Sequence, residues 1–320
     1  MSNKNICVVG AGYWGKNHIR TLYELGYLGG IVESNQETLN RFTEKYPNVK
    51  GYLSLDDALI NEQFSGFTVA TPAETHYPLA KKIMEAGRHV LVEKPLTLEE
   101  YHAKELVQLS EEKNVNLMVG HVLLFHPAIR KIKSLIEENK IGKLQYIYSN
   151  RLNLGQVRIE ENVFWSLAPH DISIFQYFTD AFPETIHASG SSFLQEGIHD
   201  STLTQLIYPN GVEGHIFVSW LHPFKEHRLV VIGSEAMISF EDSSEGKPLK
   251  LYDKKFDMTQ GVPEKIDGPV TLIDYEQKMA LTEELRYFVE HLDGKKPSIG
   301  NGEHALDVMQ ILIEASNQIN

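Results

Sequence analysis

The segment Gly10-Ala11-Gly12-Tyr13-Trp14-Gly15 constrains the fold of this chain more than any other stretch. It follows a short apolar run at residues 6–9 and opens a stretch of helix formers. In such a strand–turn–helix the first glycine permits the tight turn. The second lets backbone approach a pyrophosphate, and the third lets helix and strand pack closely. The helix start then offers unpaired N–H groups and a positive dipole end to the phosphates. Gly10, Gly12, Tyr13, Trp14 and Gly15 are therefore expected to lie against a dinucleotide. Glu33 ends the next apolar run, at the roughly 20-residue separation this pattern uses. Its carboxylate can accept hydrogen bonds from the adenosine ribose hydroxyls and would repel a 2′-phosphate. Residues 34–39 hold no arginine to reverse that preference, so the expected cofactor is NAD.

Short apolar runs and helical stretches alternate through the first 120 residues. Strands are expected at 6–9, 30–32, 66–70, 89–92 and 116–119, and helices at 16–26, 36–46, 77–86 and 98–113. Thr97 with Glu100 three residues on has the pattern of a capping box for the last helix. Strands of four or five residues with little internal polarity suit a parallel sheet covered on both faces. The alternation itself implies a doubly wound α/β layout. Beyond residue 121 a helix at 128–139 precedes strands at 143–152, 186–194, 201–208, 212–220, 228–232 and 236–241. Pro209-Asn210-Gly211 punctuates a hairpin, and helices at 275–293 and 303–319 close the chain. The expected architecture is α/β. An NAD-binding Rossmann domain, 1–121, with a doubly wound parallel sheet leads into an α+β domain, 122–320. That second domain has a large open, mainly antiparallel sheet for substrate binding and oligomerisation. A sheet covered on one side only needs water or a second subunit on the other, so a homodimer or homotetramer through that sheet is expected.

Composition narrows the partners. The formal net charge is −13 and no Lys/Arg run reaches five residues, which argues against nucleic acid and anionic membrane. No apolar run approaches the roughly 18 residues of a membrane span. The run at residues 6–12 is too short for a signal peptide, and Cys7 is a lone cysteine. A cytoplasmic setting is expected, with Cys7 as a small buried hydrophobe.

Ligands of a doubly wound sheet sit at the carboxyl ends of its strands. Thr71 and Pro72, with His76 beyond them, follow one strand; Glu93 and Lys94, in Glu93-Lys94-Pro95, follow another; His121 follows a third. All six are expected to line the cleft. Lys94 can bind a substrate oxygen and stabilise developing alkoxide charge. His121 and His126 have no third ligand at metal-binding spacing, so no metal is expected.

These motifs in this order resemble the glucose–fructose oxidoreductase / inositol dehydrogenase family, and the resemblance spans the whole chain. It implies that Lys94 is catalytic and that the Glu93-Lys94-Pro95 turn carries a cis peptide. It also implies a catalytic histidine from the second domain, matched by His170 followed by Asp171. A near-neutral imidazole suits proton abstraction from a sugar hydroxyl. Many members have Asp or Asn four residues before this histidine, where this chain has Ser166. Asp171 is a candidate to orient His170. Three segments, 150–155 with Arg158, 165–171 and 219–225, look like the branch that oxidises nucleotide-linked amino sugars at C3. The resemblance then implies a UDP-sugar substrate, UDP-N-acetylglucosamine or its uronic acid, held by Arg151, Asn153, Arg158, Trp165, Ser166, His170 and Lys225. The diphosphate calls for cations, supplied by Arg151, Arg158, Lys225, His227 and Arg228, with Trp165, Trp220 and Phe224 available to stack. A cyclitol or simple-sugar dehydrogenase, and a non-catalytic NAD-binding regulator, are the alternatives.

Overall fold

The computed structural model describes residues 4–60, 64–155, 157–159 and 161–319. The chain forms two compact units, one from the segments up to Phe125 and Lys278–Met309, the other from His126–Gln277 and the chain from Gln310 onward.

The first unit is built on β1 (Asn5–Val9), α1 (Gly15–Glu24), β2 (Leu28–Val32), α2 (Gln36–Lys45), β3 (Lys50–Tyr52), α3 (Leu55–Leu59), β4 (Phe64–Val69), α4 (His76–Glu85), β5 (His89–Glu93), α5 (Glu100–Glu112) and β6 (Leu117–Gly120). The six strands are all parallel, in the order β3-β2-β1-β4-β5-β6. Residues 6–9 and 90–92 are buried on both faces. Their unbroken apolar character is what a sheet covered by helices on each side requires. Burial raises the pKa of the Cys7 thiol, so this cysteine is an inert core residue. β3 and α3 escaped the sequence reading because both are very short. α3 is capped by Ser54, whose hydroxyl accepts from Asp57 N at 3.2 Å.

One cap is corrected. α5 starts at Glu100 with Glu99 as its N-cap, and no side chain caps it. Thr97 is buried and donates instead to the Glu99 carbonyl at 2.7 Å, so the capping box does not form.

The second unit begins with α6 (Pro127–Glu137), β7 (Leu144–Leu152) and α7 (Val163–Thr179). Seven strands follow: β8 (Thr185–Ser191), β9 (Ser201–Ile207), β10 (Glu213–Ser219), β11 (Glu226–Gly233), β12 (Met237–Glu241), β13 (Leu249–Asp257) and β14 (Glu264–Leu272). They form one eight-stranded sheet, β14-β13-β12-β11-β7-β10-β9-β8, antiparallel except where β7 and β10 run parallel. α7 packs across β7, β9 and β10. Gly214 on β10 leaves the space that Phe175 of α7 fills, since a Cβ there would come within 2.8 Å of the ring. β14 is largely exposed and β13 mostly half-buried, and both carry several charges, so they lack the apolar alternation that marks a strand in sequence.

α7 runs for 17 residues. Asn162 caps it by accepting from Trp165 N at 3.1 Å, and the helix passes through Pro169. α8 (Ala280–Glu290) packs against α1 and the short 3₁₀ turn Val122–Phe125 in the first unit. α9 (Gly302–Ile319) ends the chain. Among the described residues, no helix is long and apolar enough to cross a membrane.

Candidate active site

The glycine turn in the first unit has the space its sequence demands. Gly10 has φ +94°, and a Cβ there would meet the Ala70 carbonyl oxygen at 2.8 Å. A Cβ on Gly15 would lie 2.0 Å from the Gly10 carbonyl oxygen, so strand, turn and helix close only around glycine. Gly12 differs: a Cβ there meets nothing within 4 Å. The protein's own packing leaves open space above this backbone, room that a pyrophosphate could use. Gly15→Ala is accordingly expected to cost about 1–3 kcal/mol of stability by overpacking. Gly12→Ala is expected to leave thermal unfolding nearly unchanged and to weaken NADH binding at least about tenfold, measured by fluorescence titration.

Glu33 stands at the end of β2. Its Oε2 accepts from Ala11 N and its Oε1 from Asn35 N, both at 2.9 Å, which ties the carboxylate to the glycine turn. A cavity of about 510 Å³ adjoins it. Gly10, Gly12, Glu33, Thr71 and Pro72 line this cavity together with Leu53, Ser54, Thr75, Pro78 and Leu79, which the sequence reading missed. It is an apolar slot with a carboxylate at one edge, the chemistry an adenosine needs. The missed residues follow β3 or start α4, and nothing in their local pattern distinguishes them from ordinary helix and loop positions.

The Glu-Lys-Pro turn ends β5, and its Lys94–Pro95 bond is cis. Glu93 Oε1 accepts from the indole N–H of Trp14 and lies 2.8 Å from His18 Nε2, while Oε2 accepts from Lys94 N at 3.3 Å. Glu93 therefore joins the glycine turn, α1 and the lysine turn. His18, buried on α1 one helical turn beyond Trp14, was not singled out from sequence. Tyr13 points outward, 84 % exposed. His76 is buried, with Nδ1 2.8 Å from the Pro95 carbonyl oxygen and Nε2 2.9 Å from that of Thr71. Both ring nitrogens are thus engaged by main chain, so His76 braces two turns and does not present itself to a ligand. His121 is buried at the end of β6, with neither ring nitrogen hydrogen-bonded, and its ring meets that of His304 edge-on. Burial first, then the charges of His304 and Lys94, hold its pKa well below the usual histidine value. It is a neutral imidazole beside Lys94.

In the second unit His170 lies on α7 immediately after Pro169, half-buried, and Ser166 is buried one turn earlier. Asp171 does not orient His170. Its two oxygens bind Arg151, Nε to Oδ2 at 2.8 Å and a terminal nitrogen to Oδ1 at 2.9 Å. Both partners are buried, so Arg151 is committed to Asp171 and not to a diphosphate. The rest of the expected basic cluster is also dispersed. His227 pairs with Arg151 across β11 and β7, and Arg228 pairs with Asn150. Side chains alternate along a strand, so Arg228 points to the opposite face of the sheet. There it binds Glu241 at 2.7 Å. His227 has its pKa pushed down to about 4 by burial and by the Arg151 and Lys225 cations, and is uncharged at neutral pH. Arg158 is exposed and paired with Glu161 at 2.7 Å, and Lys225 is exposed beside Phe224. Asn153 is half-buried, its main-chain N–H bound to Ser219 O at 3.1 Å. Trp165 donates to Ser316 at 2.9 Å, while Trp220 is a core residue and does not stack on a ligand.

Residues 4–121 match the model of an oxidoreductase family with an NAD-binding Rossmann fold, and residues 129–239 match the GFO/IDH/MocA C-terminal domain. The chain belongs to the Gfo/Idh/MocA oxidoreductase family. It is 24% identical over 303 residues to a UDP-N-acetylglucosamine 3-dehydrogenase of Acidithiobacillus ferrooxidans, covering 92% of this chain and 90% of that one. That enzyme's solved structure superposes with a TM-score of 0.86 at 22% identity, covering 98% and 97% of the two chains. A myo-inositol 2-dehydrogenase of Thermotoga maritima is 23% identical over 313 residues, 93% of this chain and 91% of the relative. GenD2 from gentamicin A biosynthesis, solved in complex with NAD, superposes with a TM-score of 0.80 at 21% identity, covering 99% and 94%. At these identities the solved Gfo/Idh/MocA structures establish the shared fold.

Proposed function

We propose that this protein is an NAD-dependent dehydrogenase that oxidises the 3-hydroxyl of a UDP-linked N-acetylated amino sugar, UDP-N-acetylglucosamine or its uronic acid. The observation that carries this reading is its likeness, over nearly the whole of both chains, to a UDP-N-acetylglucosamine 3-dehydrogenase. The preference for NAD rests on Glu33 held at the edge of the adenosine cavity. NAD, when bound, supplies the hydride acceptor. His170 accepts the proton of the 3-hydroxyl as the C3 hydrogen leaves with its electron pair. Lys94 stabilises the oxygen while it passes from hydroxyl to ketone. With Arg151 buried against Asp171, His227 uncharged and Arg228 on the opposite face of the sheet, Lys225 and Arg158, the latter exchanging its exposed pair with Glu161, are the cations for the diphosphate. The product is a 3-keto sugar nucleotide, the kind of ketone a transaminase converts into a 3-amino sugar.

The second reading, a cyclitol or simple-sugar dehydrogenase, is supported by the inositol dehydrogenase relative. Appearance of NADH, followed with UDP-N-acetylglucosamine, its uronic acid, myo-inositol and glucose, separates the two. UDP-sugars are expected to exceed the cyclitol and glucose by at least about a hundredfold in kcat/KM, and NAD to outperform NADP. The reverse order establishes the second reading, and NADH binding with no turnover of any of them establishes the regulator. We also propose self-association through the sheet face opposite α7, where Tyr148, Val230, Met237 and Tyr252 line an open hollow.

A further inference from the structure

The buried face of α8 consists of Leu281, Glu284, Leu285, Phe288 and Val289, an apolar stripe at helical spacing with one carboxyl in it. Glu284 is completely buried, and neither carboxylate oxygen has a hydrogen-bond partner. An isolated carboxylate in such surroundings costs several kcal/mol, and proteins avoid that cost by leaving the group protonated. Its charged neighbour is Glu93, the carboxylate that joins Trp14, His18 and the Lys94 turn. Two carboxyls that interact in a low-dielectric site do not both ionise readily. The donors converge on Glu93 and none reaches Glu284, so Glu93 carries the negative charge. Of the ionisable groups on α1, against which α8 packs, only His18 is buried; Lys16, Arg20, Tyr23 and Glu24 are exposed. The 3₁₀ turn Val122–Phe125 has none. On α8 itself Glu283 is paired with Arg286.

We propose that Glu284 is a proton-holding positioning residue: an un-ionised carboxylic acid that keeps Glu93 the sole anion at the junction of the glycine turn, α1 and the lysine turn. Ionising it places a second negative charge against Glu93 and loosens the junction that shapes the nicotinamide end of the site. The inference rests on the family's dinucleotide site and on no sugar substrate, so it fails or stands separately from the substrate assignment.

Burial and the Glu93 charge raise the folded-state pKa of Glu284 well above the ordinary carboxylate value. The associated stability is therefore full below the unfolded-state pKa and is lost as pH rises through the folded-state one. The test uses the whole wild-type protein and Glu284→Gln. Infrared spectroscopy of the wild type at neutral pH should show the carbonyl stretch of a protonated carboxylic acid in a dry site, absent from the variant. NADH affinity of the wild type should fall at least about threefold between about pH 6 and about pH 9, and the variant should lose that slope. A band that is missing from the wild type or survives in the variant, or equal slopes in the two proteins, overturns the proposal. The wild-type spectrum alone decides if the variant does not fold.

Discussion

Lys94→Ala is expected to lower kcat at least about a hundredfold while changing the Kd for NADH only a few-fold. The split follows from where the lysine sits. It heads the turn after β5, its main-chain N–H is bound to Glu93, and its charge acts on the buried, neutral His121. A neutral neighbour leaves the ammonium as the local positive charge, which is what an oxygen gaining negative character requires. His170→Ala is expected to fall by a similar factor. Steady-state rates with whichever of the tested substrates the wild type turns over best, beside NADH titrations, check both variants. Near-wild-type turnover in either would remove that residue from the mechanism.

Asp171→Ala is expected to destabilise the protein by about 3–5 kcal/mol, because it leaves the Arg151 guanidinium buried without its carboxylate. Arg151→Ala should cost a comparable amount for the mirror reason. Replacing both by apolar residues of similar volume, Arg151→Met with Asp171→Leu, should cost clearly less than the sum of the two single changes, as removal of a whole buried pair allows. Urea unfolding of the four proteins at neutral pH measures this. Acid adds a second signature. His227 is neutral when folded, with its pKa lowered from 6.5 to about 4, so the unfolded chain takes up its proton first. Stability is lost as pH falls through that interval. Without the Arg151 charge the loss should be smaller.

The two predictions bear on how much of the site was legible beforehand. Glycine spacing, Glu33 and the Glu-Lys-Pro turn are local signals. Each reflects backbone geometry or a strand end, and in the structure Glu33 and Glu93 both bond to the glycine turn, through Ala11 N and the Trp14 indole. The basic residues of the second half are not local in that sense. Arg151 and Arg228 look equivalent in sequence, but the register of β7 and β11 sends them to opposite faces. Whether a cation faces solvent or a buried carboxylate is decided by the partner strand and helix. Asp171 looks like an orienter because it adjoins His170 in the chain, yet consecutive helical residues point about 100° apart, and its side chain turns to Arg151.

Glu284 shows the same division most sharply. Its place in an apolar stripe is written in residues 281–289. Periodicity reveals that a helix has a face to bury, not what that face will meet. Only the tertiary structure brings α8 against α1 and the turn after β6, far back in the sequence, and so sets a carboxyl without partners beside Glu93. Sequence alone determined the doubly wound sheet, the glycine turn and the place of Glu33 at the end of β2, because these depend on backbone geometry and sterics within a few residues. Charge states and the pairing of buried ions depend on desolvation and on distances between groups far apart in the chain. Those only the folded molecule decided.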